Sequence, residues 1–313
     1  MGAALALAER GRGRTGGNPS VGCVIVRDGR VVGRGWTQPG GRPHAEAMAL
    51  EQAGAAAAGA MAYVTLEPCA HESQRGPACA DLLVAAGVAG VVVAHPDPDP
   101  RTDGRGVARL RAAGIHVEEG MGRADAARTL AGFLTRLAKG RPHVTLKLAL
   151  SLDGALAMGD GASQWITGAE ARAHAHLERS RHEHILVGRG TMEADLPRLD
   201  VRLAGLEDRS PEPVVLTSGP PPLPGVRTLA RPEDIAGLPG NHLLVEGGAS
   251  AAAAFLRAGL VDRLLLYRAP MVVGGGMTLP ETGLERLADA HDVWRLADAR
   301  RLGVDRLEVY ERA

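Results

Sequence analysis

Lysine is almost missing from this chain: Lys139 and Lys147 are the two in 313 residues. Arginine carries the remaining positive charge, and 36 basic residues balance 36 acidic ones, leaving a formal net charge of zero. No basic stripe is left for a phosphate backbone to follow, which disfavours a nucleic-acid partner. Aromatic residues make up 3% of the chain, too few for a platform that stacks successive bases. No apolar run approaches the ~18 residues that a membrane span requires. Met1–Arg14 breaks its Ala/Leu stretch with Glu9 and three arginines, unlike the apolar core of a secretion signal. Cysteine is confined to Cys23, Cys69 and Cys79. An odd, widely spaced set suits a reducing compartment better than a disulfide framework. A soluble, cytoplasmic protein with no membrane partner is expected.

What is present is His44-Ala45-Glu46, followed by Pro68-Cys69 and then Cys79. One imidazole and two thiolates can hold a tetrahedral zinc and leave its fourth position to water. Zinc lowers the pKa of such a water to about 7. Glu46, not needed as a ligand, is then free to move protons. A histidine, a glutamate two residues on, and a later Pro-Cys with a second Cys form the pattern of zinc nucleobase deaminases. The cysteine spacing differs, with nine residues between Cys69 and Cys79 rather than two. A structural zinc site would take four protein ligands, and His71 is placed to be the fourth. Glu46 favours the catalytic reading, because a closed site has no use for it. Cys23, in the apolar run Val21–Val26, reads as a buried small side chain. Asn18-Pro19 offers an amide beside a rigid turn, or simply a turn.

The pattern along the chain predicts a helix over Ala3–Arg10 and a hairpin of Val21–Arg27 and Arg30–Gly35 about Asp28-Gly29. A helix over His44–Ala58 follows, then a strand at Ala62–Leu66 and a helix over Pro77–Ala86. Strands at Gly90–Ala94 and Ile115–Glu118 alternate with helices at Arg105–Ala113 and Gly122–Leu137. Such alternation implies a sheet covered by helices on both faces. Gly140-Arg141-Pro142 suggests a boundary, giving domains 1–141 and 142–313. The second domain is predicted to contain strands at His143–Leu150, His184–Gly188, Pro213–Thr217, Leu243–Glu246, Arg263–Arg268 and Arg306–Tyr310. Its helices are expected at Glu170–Arg179 and Ser250–Ala258. It has no Gly-x-Gly-x-x-Gly after a strand, so a Rossmann site is not supported. Gly188-Arg189-Gly190-Thr191 and Glu246–Ser250 both follow strands. Each reads as a tight turn or as backbone N–H groups poised for a phosphate.

Several segments together resemble the bacterial bifunctional riboflavin-biosynthesis deaminase/reductase family. They are Asn18–Gly22, His44–Glu46, Glu67–His71, Gly76–Ala80, Ser151–Gly154, Ser163–Thr167 and Glu246–Gly248, in order across nearly the whole chain. The resemblance implies an α/β architecture: a cytidine-deaminase-like three-layer domain followed by a dihydrofolate-reductase-like domain. It implies Zn²⁺ on His44, Cys69 and Cys79, with Glu46 as the catalytic proton shuttle. It also implies NADPH, contacted by Trp165, Thr191, Asp195, Ser218, Gly248, Ala249 and Ser250. The implied substrate is a small pyrimidine ribonucleotide, 2,5-diamino-6-ribosylamino-4(3H)-pyrimidinone 5′-phosphate, and a homo-oligomer is expected. Asn18, Ser163, Arg179, Leu199, Arg202 and Glu246 would touch substrate, and the two arginine forks suit a phosphate. Without the resemblance, Arg179 reads as a solvated helix charge and Trp165 as a core aromatic. The chain departs from the family pattern in two places: the loop Ser73–Cys79 is one residue longer, and Leu196 replaces an acidic residue beside Asp195.

Two other readings share parts of this pattern. A tRNA or polynucleotide base deaminase shares the zinc chemistry but normally has a close cysteine pair and a basic surface. A non-enzymatic, zinc-stabilised binding module would use His71 to close the metal site.

Overall fold

In the computed structural model, which describes residues 1–71 and 75–313, Asp28 and Gly29 turn with φ of 50° and 73°. Positive φ at both central residues is what a tight antiparallel hairpin needs, and it joins β1 (Gly22–Arg27) to β2 (Arg30–Trp36). The described residues divide into two units, Met1–Arg141 with Pro239–Asn241, and Pro142–Leu238 with His242–Ala313.

The first unit holds a five-stranded sheet in the order β2-β1-β3-β4-β5. Its other strands are β3 (Met61–Val64), β4 (Gly90–Val93) and β5 (His116–Glu119). β1 runs antiparallel to β2 and β3, while β3, β4 and β5 are parallel. Around it lie α1 (Gly2–Ala8), α2 (Ala45–Ala53), α3 (Cys79–Ala85), α4 (Arg105–Ala112), α5 (Arg123–Thr129) and α6 (Ala131–Lys139). Gly22 and Cys23 are neighbours on β1 and so point to opposite faces. A Cβ on Gly22 would meet α1 at Ala4 O, whereas Gly35, the partner of Cys23, faces α2. The sheet is therefore sandwiched between helices, as expected.

On α2 the buried stripe is Ala45, Ala49 and Ala53, one helical turn apart. Small residues there meet Gly33 and Gly35 of β2, where a Cβ would lie 2.1 and 2.0 Å from the carbonyl oxygens of Ala49 and Ala45. Backbone thus packs on backbone, and this fixes where α2 begins. The predicted helix over His44–Ala58 stops at Ala53, because Gly54 takes φ of 51° and a short 3₁₀ turn follows. The predicted helix over Gly122–Leu137 is split into α5 and α6 at Leu130.

The second unit carries an eight-stranded sheet ordered β12-β13-β11-β6-β10-β7-β8-β9. The strands are β6 (His143–Leu150), β7 (His184–Gly188), β8 (Glu212–Leu216), β9 (Arg227–Leu229), β10 (His242–Val245), β11 (Arg263–Arg268), β12 (Trp294–Leu302) and β13 (Asp305–Arg312). β13 is antiparallel to its neighbours β11 and β12, while the pairings among the other strands are parallel. α7 (Ala169–Arg179) buries Ala171 and Ala175 with Leu265, Tyr267 and Val309. α9 (Ala249–Arg257) buries Ala252 and Phe255 with Leu146 and Leu264. Leu264 and Leu265 are consecutive on β11, so the two helices cover opposite faces. α8 (Arg189–Asp195) follows β7 directly. The sequence pattern missed β12, whose residues from Arg295 to Arg301 are all exposed. A strand with no buried face has no alternation to read.

Candidate active sites

α2 is preceded by His44 at its N-cap and carries Glu46 in its first turn. Cys79 is the first residue of α3. Cys69 lies past β3, and its sulfur accepts a hydrogen bond from Cys79 N–H at 3.3 Å. His44 Nδ1 is 3.2 Å from Cys79 Sγ and 3.6 Å from Cys69 Sγ. The three ligand atoms lie within 4.8 Å of one another. A tetrahedral zinc with ordinary bond lengths needs an N-to-S spacing of about 3.5 Å, so these residues fit the metal. Among the described residues no other group of histidine, cysteine or acidic side chains is gathered in this way. His71 stands apart from the set, with its Nδ1 3.5 Å from Thr102 Oγ1. Among the described residues the set supplies three ligands, which disfavours a closed structural site with His71 as the fourth.

The electrostatics suit two thiol groups and a proton carrier. Hydrogen bonding from Cys79 is the main cause that holds the Cys69 thiol down at about 4. Cys79 is pushed up because its thiol donates a hydrogen bond to the Cys69 sulfur, and burial adds to this. Burial raises the Glu46 carboxyl to about 7, against the lowering pull of His44. Cys23 is fully buried on β1 behind the site, and its thiol is raised by burial and then by the Glu46 charge.

A cavity of about 240 Å³ opens over these groups, and His44, Glu46, Cys69 and Asn18 line it together. Asn18 Nδ2 donates to Thr15 O at 2.9 Å, which holds its turn. Sequence reasoning missed another part of the lining, the wall formed by Asp97, Asp99 and Arg101. Arg101 Nε donates to Asp99 Oδ1 at 2.9 Å. Asp97 is raised to about 6, first by burial and then by the charges of Asp99 and Glu67. The run Asp97-Pro98-Asp99-Pro100 was the available signal: two carboxylates on a stiff turn immediately after a buried strand. Glu67 was also missed. Its buried carboxylate accepts N–H bonds from Asp97 (3.3 Å), Gly104 (3.1 Å) and Val107 (3.1 Å). Ser73 and Gln74 of the longer loop lie outside the described residues.

In the second unit, Thr191, Ser218 and Gly248 follow the carboxyl ends of the parallel strands β7, β8 and β10. Such ends are where open α/β sheets place ligands. Gly248 has φ of 61°, and a Cβ on it would stand 2.7 Å from Thr191 Oγ1. It precedes the uncapped first turn of α9, which contains Ala249 and Ser250. Free N–H groups at a helix start beside a hydroxyl suit a phosphate, so this cradle fits a dinucleotide. Asp195 ends α8, and Leu196 after it is exposed with φ of 41°. Trp165 is 64% exposed rather than a core aromatic, and the Arg172 guanidinium stacks on its ring at 4.8 Å. Ser163 is exposed in the same loop.

The structure brings Arg179 and Glu246 together. Arg179 Nε and Nη2 each donate to Glu246 at 2.8 Å, and Nη1 donates to Asp200 O at 2.9 Å. This changes one expectation. Arg179 is neither a solvated charge nor a free phosphate fork, because its fork is filled by Glu246. Arg202 keeps an exposed side chain. Leu199, buried with φ of 56°, anchors the same loop. The positive charge of Lys147 lies close enough to Glu246 to help lower its pKa, a neighbour that the sequence did not suggest.

The fold and the two sites define a cytidine-deaminase-like zinc domain joined to a second α/β domain with a nucleotide cradle. Residues 1–95 match the cytidine and deoxycytidylate deaminase zinc-binding region, and residues 142–224 and 233–305 match the RibD C-terminal domain. The riboflavin biosynthesis protein RibD of Escherichia coli is 42% identical, over 97% of this chain and 96% of that one. RibD of Mycobacterium tuberculosis is 39% identical over 98% and 95%. Among solved structures, Acinetobacter baumannii RibD aligns with a TM-score of 0.88 at 37% identity, covering 100% of this chain and 98% of that one. A Thermotoga maritima diaminohydroxyphosphoribosylaminopyrimidine deaminase/5-amino-6-(5-phosphoribosylamino)uracil reductase aligns with a TM-score of 0.88 at 29% identity, covering 100% and 97%. The chain belongs to the RibD family of riboflavin biosynthesis proteins.

Proposed function

We propose that this chain carries out two successive steps of riboflavin biosynthesis. The first is hydrolytic deamination of 2,5-diamino-6-ribosylamino-4(3H)-pyrimidinone 5′-phosphate. The second is NADPH-dependent reduction of its ribosyl group to ribityl. The observation that supports the first step best is the three-ligand set facing a buried, proton-accepting Glu46. His44, Cys69 and Cys79 would hold zinc, which when bound would make water a source of hydroxide at neutral pH. Glu46, with its carboxyl near 7, takes a proton and returns it to the departing ammonia, a contribution of about 10²–10⁴-fold. Asn18 offers its amide to the pyrimidine ring.

For the second step, Thr191, Asp195, Ser218 and the start of α9 would hold NADPH, with Trp165 beside it. Ser163, Leu199, Arg202 and the Arg179–Glu246 pair would hold the substrate. The cofactor provides the hydride, and the protein orients it against the sugar C1′. We assign residues 1–141 to deamination and 142–313 to reduction, in a cytoplasmic homo-oligomer. No helix among the described residues is long and apolar enough to cross a membrane. The nucleic-acid deaminase reading has nothing comparable in its favour.

Glu46→Gln tests the assignment, since it keeps size and all three ligands. Ammonia release should fall at least about 10²-fold with zinc content unchanged. Reduction of supplied, already deaminated intermediate should continue. Loss of both activities in a folded protein that still binds NADPH would overturn the two-site model.

A further inference from the structure

His176 lies on α7 one turn before Arg179, so the two side chains share a face. Its ring touches the loop that carries Leu199 and Arg202. Nδ1 is 3.1 Å from Asp200 O and 3.3 Å from Arg202 N. Nε2 is 3.3 Å from Arg202 Nη2. A guanidinium has no acceptor, so the Arg202 side-chain contact needs an unprotonated Nε2, while the Arg202 backbone N–H points at Nδ1. A proton on Nδ1 satisfies both the Asp200 O and Arg202 Nη2 contacts, whereas a proton on Nε2 satisfies only the backbone one. The ring is then neutral with its proton on Nδ1, where it donates to Asp200 O. That carbonyl also receives Arg179 Nη1. One imidazole therefore ties Arg179, the Asp200 backbone and the Arg202 fork into a single arrangement. Arg202 Nη1 is also 3.4 Å from Asp200 Oδ1, and Arg202 lines an open hollow of about 550 Å³ with Arg198, Val201 and Ser210.

We infer that His176 is a positioning residue for the reductase substrate, holding the Arg202 guanidinium toward its anionic end only while the imidazole is neutral. This rests on the reading of Arg202 as a substrate contact. Protonation would place an N–H on Nε2 facing the Arg202 N–H, removing the acceptor and adding a positive charge. The charged groups around the ring are Arg179 on its own helix, Asp200 and Arg202 on the loop, and Glu246 at the end of β10. Burial lowers the His176 pKa, and Arg179 and then Arg202 lower it further. The neutral form thus holds at pH 7, and release of Arg202 belongs to acid conditions.

The test uses the full-length enzyme with NADPH and the deaminated intermediate, comparing His176→Leu, His176→Gln and Arg202→Ala from pH 5 to 8. Glutamine supplies a donor for Asp200 O and an acceptor for Arg202 without titrating. His176→Leu should raise KM about five- to tenfold at pH 7.5 with little change in kcat, the loss of one hydrogen bond. Wild-type KM should rise below pH 6 beyond the change seen in His176→Gln, which shares the titration of the substrate phosphate. Arg202→Ala should raise KM at every pH. If Arg202→Ala is impaired while His176→Leu matches wild type, the inference fails and the reading of Arg202 stands. If Arg202→Ala matches wild type, both fail. Should the leucine variant not fold, identical pH profiles for wild type and His176→Gln would overturn the inference.

Discussion

Replacing Gly35 by alanine adds one methyl group to β2 at the point where α2 rests on it. That Cβ would stand 2.0 Å from Ala45 O, 2.7 Å from Ala49 N and 2.8 Å from Met48 Cβ. Two of these are backbone atoms with no rotamer to change, so α2 must retreat as a body by about 1 Å, because close-packed interiors transmit strain. Overpacking of this kind costs about 1–3 kcal/mol. A kcal/mol corresponds to a fall in Tm of about 2–4 °C for a domain of this size. The functional loss should be larger. His44 sits at the N-cap of α2 and Glu46 in its first turn, whereas metal bonds tolerate about 0.2 Å. A 1 Å misplacement of reacting groups costs about 10²-fold in rate. Gly35→Ala should therefore bind zinc weakly and release ammonia at about 1% of the wild-type rate or below, while still oxidising NADPH with the deaminated intermediate. Metal analysis after dialysis and a coupled ammonia assay would measure this. A soluble Gly35→Ala protein with full zinc and full deamination would refute the view that glycine contact sets the position of α2.

Removing zinc with a chelator should abolish ammonia release and leave NADPH binding intact, and calorimetry on the stripped protein would show it. Gly248→Ala places a Cβ 2.7 Å from Thr191 Oγ1 at a positive φ. It should weaken NADPH binding at least about tenfold, read by fluorescence titration, because strain and lost close approach act together. Asp97 has a folded-state pKa raised to about 6 from an ordinary value near 3.8. Its ionisation therefore opposes folding at pH 7, and stability is regained as pH falls through 6 toward 4. The gain is on the order of 2–3 kcal/mol. Asp97→Asn should raise Tm at pH 7 and remove that acid gain, and thermal melts at pH 4.5 and 7 would separate the two.

The zinc triad was legible in the sequence because each ligand is chemically distinctive, and two of them, His44 and Cys79, stand at the start of a helix. The hairpin was legible for a similar reason: Asp28-Gly29 specifies its own backbone. Harder to read were features defined by what lies across space. Arg179 looks like a helix-surface charge until Glu246, 67 positions later, fills its fork. His176 gains meaning only beside Arg202. β12 gave no signal because burial, not propensity, creates alternation. Where helices ended, the sequence pattern overran: alanines through Ala58 favour helix, yet Gly54 breaks it.

Glu67 has a consequence for how the deaminase pocket tolerates change. α4 begins at Gly104 without a side-chain cap from its own neighbourhood, and the Glu67 carboxylate serves its N–H groups from 37 positions upstream. The same carboxylate holds Asp97 N–H, so the Asp97–Arg101 wall and the start of α4 hang from a residue two places before Cys69. The N-cap of α4 is a glycine, so no local side chain can replace this anchor. A substitution at Glu67 would uncap a helix, release a wall and shift a metal ligand at once. Its effects on folding and on chemistry would be inseparable, so the pocket carries its own safeguard: chains that lose the wall's position also lose part of their stability.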